Sequence, residues 1–183
     1  MNTSSVNASM SVCVRYKDVI IKVTGRANFT SSVDFKALVN GLRQQGHGYF
    51  ILDLSECQLM DSTFLGVLAG LGMKMKGGQD GGAPAGIALC RPSPRIADLL
   101  DNLGVASLFP VLGASAASGD SLQPVAPGAD VDKRDVSRTC LEAHQTLMEI
   151  NPANAARFKD VAAYLAEDLQ RMDAAGGAVK SEA

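Results

Sequence analysis

Apolar positions recur along this chain in two alternating rhythms. Val12-Cys13-Val14 and Val19-Ile20-Ile21-Lys22-Val23 are short β-branched runs, and they predict two strands joined by a tight turn at Lys17-Asp18. Gly25-Arg26-Ala27-Asn28 breaks that pattern. Ser31 with Asp34 then has the form of a capping box, and Phe35, Leu38, Val39 and Leu42 return at helical spacing until Gly46 and Gly48. Tyr49-Phe50-Ile51-Leu52-Asp53-Leu54 is almost wholly apolar, as expected of a strand covered on both sides. Asp61-Ser62-Thr63 opens a second helix running to about Met75. The glycine-rich stretch 77–82 predicts a mobile loop, and 86–90 another buried strand. Ser93-Pro94 starts a third helix, with Ile96, Leu99, Leu100 and Leu103 on one face and Gly104 as its stop. Phe109-Pro110-Val111-Leu112 is a last extended segment. Strands alternating with helices predict an α/β domain over residues 11–113, preceded by a flexible N-terminus at 1–10.

The rhythm then changes. Residues 114–130 are rich in Ala, Ser, Gly and Pro, which is linker chemistry. Over 131–173, Val136, Cys140, Ala143, Leu147 and Ile150 form one helical stripe, and Phe158, Val161, Leu165, Leu169 and Met172 form another after Asn151-Pro152. Each stripe needs burial, so the pair is expected as a helical hairpin on the first domain or on another protein. Its seven-residue rhythm also allows a homodimer through these helices. Residues 174–183 form a flexible tail.

Composition narrows the function. The chain has 183 residues, 46% hydrophobic, with 17 basic against 19 acidic side chains and a net charge of -2. That balance argues against direct nucleic-acid binding by charge. Cys13, Cys57, Cys90 and Cys140 lie far apart, without metal-ligand spacing, so no metal is expected and the thiols read as buried and reduced. No secretory signal is visible, and the apolar stretch 64–73 is too short for a transmembrane segment. A cytoplasmic protein is expected. The glycines at 70, 72, 77 and 78 lack the G-x-x-x-x-G-K-[ST] pattern and read as helix packing and a loop, so no cofactor is expected. An enzyme is not expected either. No aspartate spacing links His47 or His144 to Ser62, and His144 is expected on the solvated edge of its helix.

The informative segment is the strand at 49–54 followed by Met60-Asp61-Ser62-Thr63-Phe64-Leu65-Gly66. Asp61 can cap the helix with its carboxylate, leaving the Ser62 hydroxyl at the helix mouth. A phosphate on Ser62 would add roughly −1.5 to −2 charges at one point beside Asp61. Helix 61–75 is apolar on more than one side: Leu65 and Leu68 can face the sheet, while Phe64, Val67 and Leu71 lie partly around from them. That second side is a candidate partner face, shielded by the C-terminal helices.

This segment resembles the signature of the STAS domain, the family of bacterial anti-sigma factor antagonists. Gly25 followed by Asn28 resembles an earlier family element, and Leu103-Gly104-Val105 with Leu108-Phe109-Pro110-Val111 resembles its ending. The resemblance implies a small mixed β-sheet with helices mainly on one face, here with a C-terminal helical hairpin added. It also implies that Ser62, with Thr63 as alternative, is phosphorylated by an anti-sigma factor serine kinase and reset by a phosphatase. Phosphorylation would then release the antagonist. Asn28, Asp61, Ser62, Thr63, Phe64 and Val67 are the expected partner-binding residues. Phe64 stands where family members usually have glycine, and Asn28 where aspartate is usual. The alternative is a non-phosphorylated STAS scaffold or regulatory subunit of a larger signalling or transport assembly.

Overall fold

The computed structural model describes residues 8–16, 18–76, 79–80, 83–117, 121–128 and 131–178. The expected turn residue Lys17, residues 1–7 of the expected flexible N-terminus and residues 179–183 of the expected tail lie outside them. Ser9, by contrast, already belongs to a strand, and the last helix runs to Ala178. Strands β1 (Ser9–Val14) and β2 (Asp18–Ala27) pair antiparallel, with Val12 opposite Ile21. The expected break at 25–28 is instead a continuation of β2. Gly25 takes a φ of 89°, which a side chain would resist, and the ladder to the next strand shifts register on both sides of Thr24 and Gly25. These irregularities carry the strand to Ala27. Its parallel partner β3 (Tyr49–Met60) is likewise longer than the apolar run at 49–54, because its polar second half pairs with the end of β2.

Helix α1 (Phe29–Gln44) begins before the expected Ser31 cap. Asn28 is the N-cap: its Oδ1 accepts from the Ser31 N–H at 3.1 Å, and the Ser31 hydroxyl oxygen accepts from the Asn28 N–H at 2.9 Å. Helix α2 (Ser62–Met75) starts at its Asp61 cap. Within 77–82, Gln79–Asp80 (β4) pairs with Ala83–Pro84 (β5) as a short ribbon, and the remaining four residues lie outside those described. Strand β6 (Gly86–Cys90), helix α3 (Pro94–Asn102, capped by Ser93) and β7 (Val111–Leu112) complete the crossover pattern. With β8 (Gln123–Pro124), the sheet order is β7-β6-β3-β2-β1-β8, parallel from β7 to β2 and antiparallel at β1.

Helices cover one face of this mixed sheet. Alternate residues of the central strands, including Ile21, Val23, Leu52 and Leu54, pack there against Phe35, Leu65, Leu68, Ile96 and Leu100. The opposite face buries a smaller set, Ile20, Ile51 and Cys90, beneath Leu112, Ala116, Ala117 and Leu122. Asp53 is buried within β3 and is satisfied by Arg91 Nη2 at 2.8 Å and by the Ser55 N–H at 3.0 Å.

The stretch expected as a linker is held to the domain over its described residues. β8 pairs with β1, the Val125 N–H donates to the Met10 carbonyl, and the Gly128 N–H donates to Asp34 Oδ1. Helix α4 (Lys133–Ile150) packs against α2 and α1, and its Ala143 and Leu147 join the main core. Asn151 caps a 3-10 turn, Pro152–Asn154, before α5 (Ala155–Ala178) begins. Helix α5 rests on α4 with much of its surface open, Tyr164 being 61% exposed. No helix among the described residues is long and apolar enough to cross a membrane.

Candidate functional site

The site forms where β3 ends and two helices begin. The Asp61 N–H donates to the Ala27 carbonyl at 2.9 Å, fixing the turn at the end of the β2–β3 ladder. Each oxygen of its carboxylate then takes one helix start: Oδ1 accepts from the Phe64 N–H at 2.8 Å and Oδ2 from the Phe29 N–H at 2.9 Å. One negative group therefore serves the positive ends of both α2 and α1. Asn28 caps α1 beside it, and the Phe29 ring, 48% exposed, stands on the outer rim.

Ser62 is the first residue of α2 and is partly exposed. Its Oγ lies 3.0 Å from Nε2 of His144, whose Nδ1 lies 2.8 Å from the Cys140 carbonyl oxygen. A carbonyl only accepts, so Nδ1 carries the proton and Nε2 offers its lone pair. The Ser62 hydroxyl donates to it. Burial pushes the imidazole below its usual range, with the Cys140 carbonyl and Asp61 pulling the other way. His144 is only 6% exposed and packs against Phe158, with ring centroids 4.9 Å apart. The solvated position expected for it is thus corrected: α4 turns this histidine inward, onto α2.

The other expected site residues are placed differently from Ser62. The Thr63 hydroxyl is buried and points at the Cys140 sulfur, 3.8 Å away. Phe64 is wholly buried and stacks on Phe35 with centroids 5.0 Å apart, so its ring belongs to the core and offers no surface to a docking protein. Val67 is buried beside a cleft of about 190 Å³ between α2 and α4, lined also by Lys36, Gly70, Lys74, Glu142 and Glu149. Charges of both signs line that cleft, and Ser62 does not.

A serine donating to a neutral imidazole has the proton geometry of a nucleophilic pair, which residue spacing alone does not reveal. The surroundings do not suit an oxyanion. Asp61 already occupies the Phe64 N–H, and its negative charge sits at the helix start where the developing charge of an acyl-transfer intermediate would need donors. Among the described residues, no group of three or more His, Cys, Asp or Glu side chains is placed to hold a metal ion. Sequence reasoning missed His144, Cys140, Phe29 and Gly66. The available signal for Gly66 is its spacing four residues from Gly70, which puts two positions without side chains on one face of an apolar helix.

Residues 9–117 match the STAS domain family model, and the chain belongs to that family. Among solved structures, the unphosphorylated anti-sigma factor antagonist SpoIIAA is similar at 18% identity, over 60% of this chain and 92% of that one, with a TM-score of 0.50. An anti-sigma factor antagonist from Mycobacterium paratuberculosis is similar at 15% identity, over 61% of this chain and 89% of that one, with a TM-score of 0.49. The Bacillus cell fate determinant SpoIIAA in its phosphorylated form follows at 17% identity, over 60% and 96%, with a TM-score of 0.47. No curated protein matches the chain. Helices α4 and α5 lie beyond the family match.

Proposed function

We propose that this protein is a cytoplasmic anti-sigma factor antagonist that binds an anti-sigma factor with serine-kinase activity and is switched off by phosphorylation at Ser62. The observation that carries the reading is the placement of Ser62. It is the first residue of α2, partly exposed beside the Asp61 cap, while neighbouring Thr63 is buried. Transfer of the γ-phosphoryl group of the partner's ATP forms the Oγ–P bond, breaks the bond to ADP and releases the hydroxyl proton. The product places a dianion next to the carboxylate that caps α1 and α2. Repulsion at that point changes the face offered to the partner without refolding the sheet. A phosphatase then restores the hydroxyl. Asn28 and Phe29 on the rim, with Asp61 and Ser62, form the contact surface in this reading.

One observation favours a second reading, a STAS scaffold or regulatory subunit that is never phosphorylated: the Ser62 hydroxyl is already bonded to His144 beneath α4. Phosphopeptide mass spectrometry of the protein from its own host, with Ser62→Ala as control, separates the two. Phosphate at Ser62 that disappears in the variant supports the switch. A Ser62 peptide that stays unmodified through growth and stress sends the assignment to the scaffold.

A further inference from the structure

Helix α4 is seated on α2 through a series of contacts that begins at Ser62 itself. Ser62 bonds His144, Thr63 faces Cys140, and Thr146 and Gly70 line the same cleft between the two helices. Gly66 sets how closely the helices approach. A Cβ there would lie 2.4 Å from the Ala143 carbonyl oxygen and 2.7 Å from the Ala143 Cβ, so this seat exists only because α2 carries no side chain at that point. Two further ties hold α4 down. Lys36 Nζ of α1 pairs with Glu142 at 2.5 Å, and Asn154 Nδ2 donates to both the Leu103 and Leu147 carbonyls.

The geometry points to α4 as an intramolecular competitor for the Ser62 face, a cover that a kinase partner must lift before Ser62 can be phosphorylated. This rests on Ser62 being the phosphoacceptor. A phosphoryl donor has to come within about 3–3.5 Å of the attacking oxygen in line with its leaving group. On the α4 side that approach is filled by the His144 ring, and Thr63 and Phe64 are buried. Only the edge of Ser62 beside the half-buried Asp61 cap is therefore open while α4 is down. The competent form is the one with α4 displaced, and the partner's apparent affinity falls by the fraction of chains in that form. Because Ala143 and Leu147 reach the main core, lifting α4 exposes apolar surface. The cover therefore opens chiefly when something else takes its place.

Two wedge variants of the full-length chain test this, Gly66→Ala from the α2 side and Ala143→Leu from the α4 side. Neither alters Ser62, His144 or the Asp61 caps. Cys140 reports on the cover: it is half-buried in the seat and burial pushes its thiol up, so it reacts slowly while α4 is down. Cys57 and Cys90, buried in the STAS domain, report on general unfolding. N-ethylmaleimide labelling read by peptide mass spectrometry is expected to accelerate about tenfold or more at Cys140 in each variant, with Cys57 and Cys90 unchanged. Phosphate occupancy at Ser62, measured in the host at matched expression, is expected to rise in the same variants.

Faster Cys140 labelling with unchanged or lower Ser62 phosphate overturns the cover while leaving the phosphoswitch standing. Unchanged Cys140 labelling in both variants, or labelling of Cys57 and Cys90 in both, makes α4 a fixed part of the domain and also overturns it. If only one variant exposes Cys57 and Cys90, the other decides. No phosphate at Ser62 in any variant removes the acceptor reading, and this regulation with it, whatever Cys140 shows.

Discussion

Ser62 and His144 stand 82 positions apart in sequence and 3.0 Å apart in space, the hydroxyl donating to Nε2. Ser62→Ala leaves that nitrogen without its partner under α4, while His144→Phe keeps a ring against Phe158 and removes the acceptor. Each single variant is expected to lose about 1 kcal/mol of stability, and the double-mutant cycle to return a coupling of roughly 1 kcal/mol. Chemical denaturation of the four proteins measures it. A coupling of zero within error would mean that the bond contributes nothing in solution.

The same contact predicts a pH dependence. Burial pushes His144 below its usual 6.5 against weaker upward pulls from the Cys140 carbonyl and Asp61, and the ring also faces Ser62 and Phe158. The fold favours the neutral imidazole, so on acidification the unfolded chain takes up this proton first. The stability that neutral His144 contributes is complete above its unfolded value of about 6.5 and is lost as pH falls toward the folded one. Melting temperatures of wild type and His144→Phe, followed from about pH 8 to pH 5, are expected to diverge in slope, wild type falling further. Parallel curves would assign the acid sensitivity to other groups.

What the sequence makes legible here is what local chemistry decides. The start of α2 is readable because Asp61, the hydroxyls after it and the apolar run at 64–69 all lie within one turn or two of the helix. The cap of α1 is harder, since Asn28, Ser31 and Asp34 all have capping side chains. The choice of Asn28 is supported from outside, by Asp61 accepting the Phe29 N–H. The second halves of β2 and β3 escape an apolar-pattern reading because polar residues such as Thr24, Arg26, Glu56 and Gln58 interrupt them, although the two strands pair there and bury Ala27, Cys57 and Met60. His144 and Gly66 escape it for a related reason. Their roles exist only once α4 lies against α2, a contact between segments about 80 residues apart in sequence.

Phe64 shows how a departure from a family pattern can be structural. The ring is wholly buried, stacks on Phe35 and fills the space between α1 and α2. Phe64→Ala is expected to cost about 3–5 kcal/mol, the range for deleting a buried aromatic ring that the core cannot fully close over. Thermal and denaturant unfolding check the figure. Loss of partner binding in this variant would then follow from damage to the fold rather than from a lost contact. A cost below about 1 kcal/mol would show that the ring is dispensable to the core and return it to the docking surface.

Asn154 ties the C-terminal helices to the STAS domain through two bonds from one nitrogen. Its Nδ2 donates to the Leu103 carbonyl at 3.0 Å, where α3 ends, and to the Leu147 carbonyl at 2.8 Å, on α4. The side chain is 2% exposed, so water cannot readily replace either bond. Asn154→Ala leaves both carbonyls to lose a buried donor and is expected to cost about 2–3 kcal/mol. Asn154→Asp should be worse, because an ionised carboxylate has no proton to give and would face two carbonyl oxygens in a buried place. Stability is expected to rank wild type above Ala above Asp, measured at neutral pH by denaturant unfolding. An Asp variant as stable as wild type would mean that this junction is wet and open, and that α4 and α5 are held to the domain by the packing of α4 on α2 and α1 and by the Lys36–Glu142 pair.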